Sequence, residues 1–146
     1  MQVKKMFFSF LFALLFANIG HAQLKYMRNA EATEKLSEKV TNLFEENEIS
    51  DAFDLLSPYW PLSKSELKTL EDQCTKHMDM LEEKYGEVQD VTKVKSESIP
   101  DVAIRETYFL RYEYTAARLI FTYYKGKKGW VVNAFEWDES FDEEFE

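Results

Sequence analysis

Residues 63–98, SKSELKTLEDQCTKHMDMLEEKYGEVQDVTKVKSES, contain the change of pattern that decides the fold. As far as Tyr85 the positions Leu67, Leu70, Cys74, His77, Met78, Leu81 and Tyr85 recur three or four apart, the spacing of one face of a helix. Ser63 and Glu66 stand at the S-x-x-E spacing of a capping box, in which each side chain satisfies a free amide at a helix start. Gly86 is a natural helix stop. Beyond it the period falls to 2 and the residue types shift to Val, Ile, Thr, Tyr and Phe, which predicts strands.

Toward the N-terminus the pattern stays helical. From Leu24 to about Asn47 there is no Gly or Pro, and Ala32, Leu36, Val40, Leu43 and Phe44 recur at helical spacing, predicting one amphipathic helix. Ser50-Asp51 offers an N-cap for a short helix carrying Phe53, Leu55 and Leu56, which ends at Ser57-Pro58 because the residue before proline resists the α conformation. Tyr59, Trp60, Pro61 and Leu62 follow as an aromatic corner.

Toward the C-terminus four strands are expected. They are a polar first strand over Val88–Ser98, a second over Val102–Tyr114, a third over Thr115–Tyr124, and a fourth over Trp130–Trp137 after the turn Lys125–Gly129. On the second strand Ile104, Tyr108, Leu110, Tyr112 and Tyr114 share one face, and Arg105, Thr107, Phe109, Arg111 and Glu113 the other. Helices followed by strands imply an α+β fold, N-terminal helices packed on an antiparallel sheet of about four strands. The third strand has bulky groups on both sides, Leu119, Phe121 and Tyr123 against Ile120 and Tyr124. One side is expected on the helices and the other against something else, such as a second copy of the chain in a homodimer.

The first 22 residues, MQVKKMFFSFLFALLFANIGHA, have a basic start at Lys4 and Lys5, an apolar run from Met6 to Ile19, and small residues at Gly20 and Ala22. That is the layout of a secretory signal peptide cleaved between Ala22 and Gln23, with an uncleaved anchor as the alternative. The 124 residues left make a single domain over 23–138 and an acidic tail at 139–146. Losing Lys4 and Lys5 takes the 18 basic residues to 16 against 27 acidic ones, and the formal charge from −9 to −11. Such a charge repels nucleic acid and anionic membranes, and it serves either solubility alone or a cationic partner. Cys74 is the only cysteine, so no internal disulfide forms and no cysteine stands at the new N-terminus for lipid attachment. A periplasmic or secreted product without stable membrane insertion is expected. From Asp138 to Glu146 six of nine residues are acidic, with Phe141 and Phe145 between them. This reads as a frayed end, or as a segment that docks onto a basic groove.

Three features together resemble the NTF2-like (cystatin-like α+β) superfamily: the long first helix, the short element Ser50-Asp51-Ala52-Phe53-Asp54-Leu55-Leu56-Ser57, and the ending Lys128-Gly129-Trp130-Val131-Val132-Asn133-Ala134-Phe135-Glu136-Trp137. The resemblance spans about Glu31 to Asp138. More narrowly the chain is similar to small exported bacterial members of unknown function, in which a capped helix ends at Tyr-Gly and the last strand opens with Gly-Trp. The resemblance implies a curled sheet that wraps, with the helices, a cone used by some members as an active site, by some as a small-molecule pocket and by some as core. Members resembling steroid isomerases or dehydratases place Asp, His or Tyr inside that cone. No matching pair stands out here, and after cleavage the one histidine, His77, is on a helix.

Cys74 and His77 lie three apart on one helix face and form a conceivable nucleophilic pair. Both sit on the apolar stripe, however, and no third group activates them. No zinc or calcium ligand spacing, phosphate loop or nucleophile elbow is present, so no catalytic residue, metal or cofactor is assigned. Tyr108, Tyr112, Tyr123, Trp130 and Trp137 are the ligand-binding candidates, because aromatic walls carrying hydroxyls orient a ligand. The same residues, with Tyr114 and Tyr124, also suit the core and dimer face of a small sheet. Arg105, Arg111 and Arg118 are expected to pair across strands with Glu106, Glu113 or Glu136. The leading expectation is a non-catalytic exported binding domain, dimeric through its sheet, for a small apolar ligand or a protein partner. The alternative is an exported acidic inhibitor or immunity-type protein that neutralises a basic enzyme or toxin.

Overall fold

The computed structural model describes residues 23–145, so the expected signal segment, 1–22, lies outside the described residues. Helices precede strands, as the change of period requires. The order is α1 (Ala30–Glu45), α2 (Ile49–Leu56), a 3-10 turn (Ser57–Tyr59), α3 (Lys64–Tyr85), β1 (Val88–Ile99), β2 (Ala103–Tyr112), β3 (Ala116–Gly126), β4 (Gly129–Asp138) and a C-terminal 3-10 turn (Phe141–Phe145). No helix among the described residues is long and apolar enough to cross a membrane.

The capping box at the start of α3 forms as expected. Ser63 Oγ accepts from the Glu66 amide at 3.2 Å, and the Ser63 amide donates to Glu66 Oε2 at 2.8 Å. Two helix starts differ from the sequence expectation. α1 begins at Ala30, not Leu24, because Asn29 Oδ1 caps the Ala32 amide at 2.9 Å. The residues before it are drawn out to a sheet edge, where Met27 exchanges two 2.9 Å backbone hydrogen bonds with Trp130. α2 begins at Ile49, ahead of the expected cap at Ser50, because Asn47 takes a left-handed φ of 60° that turns the chain sharply and buries Ile49.

α1 buries Leu36, Val40 and Phe44, together with Thr33, Ser37 and Thr41, a small polar ridge that the apolar count overlooked. Each hydroxyl of that ridge donates to a carbonyl one turn back, so the helix lies close on the sheet with no buried polar side-chain atom unpaired among the described residues.

The sheet is an antiparallel meander in the order β1-β2-β3-β4. Irregularities at Val88/Asp90, Lys93/Lys95 and Thr122/Tyr123 increase its twist and curl it around the helices. The β3–β4 hairpin closes through Lys127-Lys128 between paired Gly126 and Gly129. Gly129 has φ 135°, and a methyl group there would stand 2.7 Å from the Met27 carbonyl oxygen, so only glycine lets the N-terminal segment join this edge. Tyr114, expected on the inner face of the second strand, lies beyond the end of β2 and is 74% exposed.

Candidate functional site

The inner face of the sheet presents Ile104, Tyr108, Leu110 and Tyr112 from β2, Ala117, Leu119, Phe121 and Tyr123 from β3, and Val132 and Phe135 from β4, all buried. Phe135 is the hub of this layer. Its ring centroid is 4.9 Å from Phe121, 5.5 Å from Phe44, 5.7 Å from Trp137 and 5.9 Å from Phe53. Such spacings are those of packed aromatic pairs, which leave no room for a guest between them. Side chains of the chain itself fill the cone.

Four of the five aromatic ligand-binding candidates are thus core residues. Tyr123 Oη and Ser37 Oγ share a 2.6 Å hydrogen bond, Tyr112 Oη donates to Met78 Sδ at 3.3 Å, and Tyr108 Oη donates to Glu106 Oε2 at 3.4 Å. Burial, above all, pushes the pKa of each of the three phenols up, so they stay protonated and already engaged. Trp130 is buried where Met27 bridges to it. Trp137 lines an open cleft.

Cys74 and His77 have separate surroundings. Cys74 is fully buried and burial pushes its thiol pKa up, away from the thiolate that a nucleophile needs. His77 is partly exposed and faces Glu139, Nε2 to Oε2 3.6 Å, which ties α3 to the chain leaving β4. Among the described residues no three His, Cys, Asp or Glu side chains are grouped to hold a metal ion.

The arginine pairings differ from expectation. Arg111 pairs with Asp90 on β1. Glu106 faces the helices, 2% exposed, with Tyr108 and Lys93 as its neighbours, Lys93 Nζ being 3.7 Å from Glu106 and 2.6 Å from Glu34. Strand alternation could have revealed this, because Glu106 lies between Ile104 and Tyr108 on their face.

Arg118 is the centre of the sheet's other face. Its side chain is 9% exposed and meets three carboxylates. Nε and Nη2 donate to the two oxygens of Asp138 at 2.8 and 2.7 Å, a bidentate pair across the β3–β4 register. Nη2 also donates to Glu143 at 2.9 Å and Nη1 to Glu144 at 2.8 Å, both from the C-terminal turn. The hydrogen bonds from Arg118 hold the Asp138 carboxyl below its ordinary pKa, and those to the carboxylates, Asp138 first, raise the guanidinium's own. Phe141 packs edge-on against Phe109 at 5.9 Å. The tail therefore does not fray in the described residues up to 145. It folds back over the face expected to meet something else.

Beside it lies a cleft of about 520 Å³ lined by Lys95, Glu97, Arg105, Thr107, Arg118, Ile120, Glu136, Glu143 and Glu144. A second cleft of about 470 Å³ shares Arg118, Ile120 and Glu136 with it and reaches Phe135, Trp137 and Leu70 of α3. Because those three residues are common to both, the two form one surface around β4, charged on the sheet face and apolar near Trp137. Arg105 has no ion pair among the described residues. The site thus presents the cations Lys95, Arg105 and Arg118, the glutamates Glu97, Glu136, Glu143 and Glu144, the Thr107 hydroxyl and the apolar Ile120, with two of the glutamates already held by the guanidinium.

The expected α+β architecture is present, with helices on one face of a curled four-stranded antiparallel sheet. No protein-family model matches the chain, and no curated protein matches it. Two solved structures align with it. One is a Campylobacter jejuni protein described as an NTF2-like transpeptidase, at 15% identity and TM-score 0.48, covering 68% of this chain and 95% of the other. The second is a Thiobacillus denitrificans protein described as a calcium/calmodulin-dependent protein kinase type II association domain, at 14% identity and TM-score 0.40, covering 77% and 96%. At these values neither brings residue roles to this chain.

Proposed function

We propose that this is an exported, non-catalytic binding domain whose ligand is a protein segment held on the outer sheet face around Arg118. The observation that carries this reading is the contrast between the two faces. The cone is filled by Phe44, Phe121 and Phe135, whereas the opposite face has a cleft of about 520 Å³ with three cations and four glutamates on its walls. A small apolar ligand in the cone draws no support from that packing. The acidic-inhibitor alternative draws less support as well, because Glu143 and Glu144 are already engaged with Arg118.

Site-resolved photo-crosslinking tests the proposal. A photoreactive amino acid replaces Glu136 on the outer face in one variant and Lys76 on the exposed side of α3 in another, and both are activated in the export compartment. Adducts specific to position 136 are expected. Adducts only from position 76, or a native mass spectrum with a stoichiometric small apolar molecule bound inside, would sink it.

A further inference from the structure

The residues that occupy the outer face say what chemistry it recognises. Asp138 is fixed there by the β3–β4 register and satisfies Arg118 through one bidentate pair. Glu143 and Glu144 belong to a different class of partner, since they ride on a turn joined to β4 by only Glu139 and Ser140. That turn makes three kinds of contact with the site. Phe141 covers Phe109, Glu143 and Glu144 each accept a hydrogen bond from Arg118, and Glu144 also faces Lys95 at 3.7 Å. Besides these, the turn has its own backbone hydrogen bond from Glu143 to Ser140 and a cap from the Ser140 amide to Asp138. Its hold on the sheet therefore rests on one aromatic contact and one pair of acids.

Lifting the turn would leave Asp138 on Arg118 and expose the rest. Lys95, Arg105 and Arg118 would then face Glu97, Glu136 and Asp138, so the site would change from an excess of two negative charges to balance, with two carboxylate positions vacated. Phe109 would lose its ring partner at the same moment. A surface of this kind is complementary to an aromatic residue followed two and three places later by carboxylates, the spacing of Phe141, Glu143 and Glu144.

We infer that the C-terminal turn is a built-in occupant of the binding site, and that the partner is an acidic peptide segment carrying an aromatic residue, which binds by displacing it. This rests on the outer-face reading above and names the partner's chemistry and the site's regulation. A segment tethered by two residues competes at a high effective concentration, on the order of millimolar. The full chain therefore binds such a peptide weakly until the turn is released. The salt dependence is also set. The protein's net charge repels an acidic peptide at long range and that repulsion is screened, whereas the hydrogen-bonded contact at a 9% exposed guanidinium is screened little. Association thus falls less with salt than that of an acidic protein docking on a basic enzyme, the exposed Lys95 and Arg105 contacts being the part that salt screens.

The test uses the chain from Gln23 onward and the fluorescently labelled peptide Ser-Phe-Asp-Glu-Glu-Phe, read by anisotropy. Glu143→Gln with Glu144→Gln, both made on the surface turn, should raise peptide affinity at least about tenfold over the unaltered chain. Lys95→Gln with Arg105→Gln in that released background, and a peptide with Gln for both Glu, should each remove the gain; these exposed sites spare the fold, which a thermal melt confirms. Equal affinity for the unaltered and released chains overturns the displacement. Absence of peptide binding to the released chain, with crosslinks at position 136 still formed, overturns the partner chemistry and leaves the outer-face proposal standing. Absence of both overturns the two together.

Discussion

Replacing Phe135 by alanine should turn a filled interior into a pocket. Phe135 is 3% exposed, and its ring lies within 6 Å, centroid to centroid, of Phe44, Phe53, Phe121 and Trp137. Truncating a buried Phe to Ala costs about 3–5 kcal/mol. With aromatic neighbours on so many sides, all on separate elements that cannot collapse together, the upper half of that range applies, about 4 kcal/mol. A domain of this size has a stability of about 5–15 kcal/mol, so the variant stays folded at 25 °C. At roughly 3–5 °C per kcal/mol, its Tm falls by about 12–20 °C. Urea and thermal melts followed by near-ultraviolet circular dichroism give the cost directly. The second readout is ligand binding, because a dry apolar void of aromatic size takes up benzene or indole, and in the unaltered chain the Phe135 ring occupies that space. The variant's Tm should rise with added indole and the parent's should not. A loss under about 1 kcal/mol, or an equal response of parent and variant to indole, would refute the filled cone and with it the reason for placing the binding site on the other face.

Acid should weaken the Asp138–Arg118 pair across β3 and β4. The Asp138 carboxyl titrates below its unfolded value because of Arg118, so its contribution is present above about pH 4 and is lost as pH falls through the lower folded value. The Arg118 Nε–H resonance should therefore shift in that acid range, and Asp138→Asn should abolish the transition. Gly129→Ala should cost about 1–3 kcal/mol, since φ 135° is strained for any side chain and the methyl meets the Met27 carbonyl; hydrogen exchange at the Met27 and Trp130 amides should speed up first. Cys74 should resist a thiol reagent until the denaturant midpoint, and modification in native buffer would contradict its burial. N-terminal sequencing of the exported species should begin at Gln23, whereas a start at Met1 would favour the anchor.

Helix α3, its capping box, its stop at Gly86 and the four strands were legible because their signals are local. A serine and a glutamate three apart, a period of 3.6 giving way to 2, and glycines at a turn act through neighbours in the chain. The shift of α1 to Ala30 was less legible. No Gly or Pro interrupts the chain from Leu24 onward, and what draws the segment before Ala30 out of the helix is a hydrogen-bonded bridge from Met27 to Trp130, about a hundred residues away. The polar ridge Thr33, Ser37 and Thr41 was invisible to a count of apolar residues, although its burial against Tyr123 lets the helix lie close on the sheet.

Aromatic residues show the same division within the candidate site. Sequence alone identified Tyr108, Tyr112, Tyr123, Trp130 and Trp137 as one chemical group, and strand alternation put Tyr108 and Tyr112 on a common face without saying which face is closed. Whether inward aromatics line a void or fill it depends on ring-to-ring distances summed over five elements, which no local pattern encodes. Charge divides likewise. Composition set the net charge and the acidic tail, both sums over residues that need no geometry. Only the tertiary structure decided that Arg118 gathers Asp138, Glu143 and Glu144 on the outer face, because an ion pair depends on which side of a strand each group projects and on where the chain turns back.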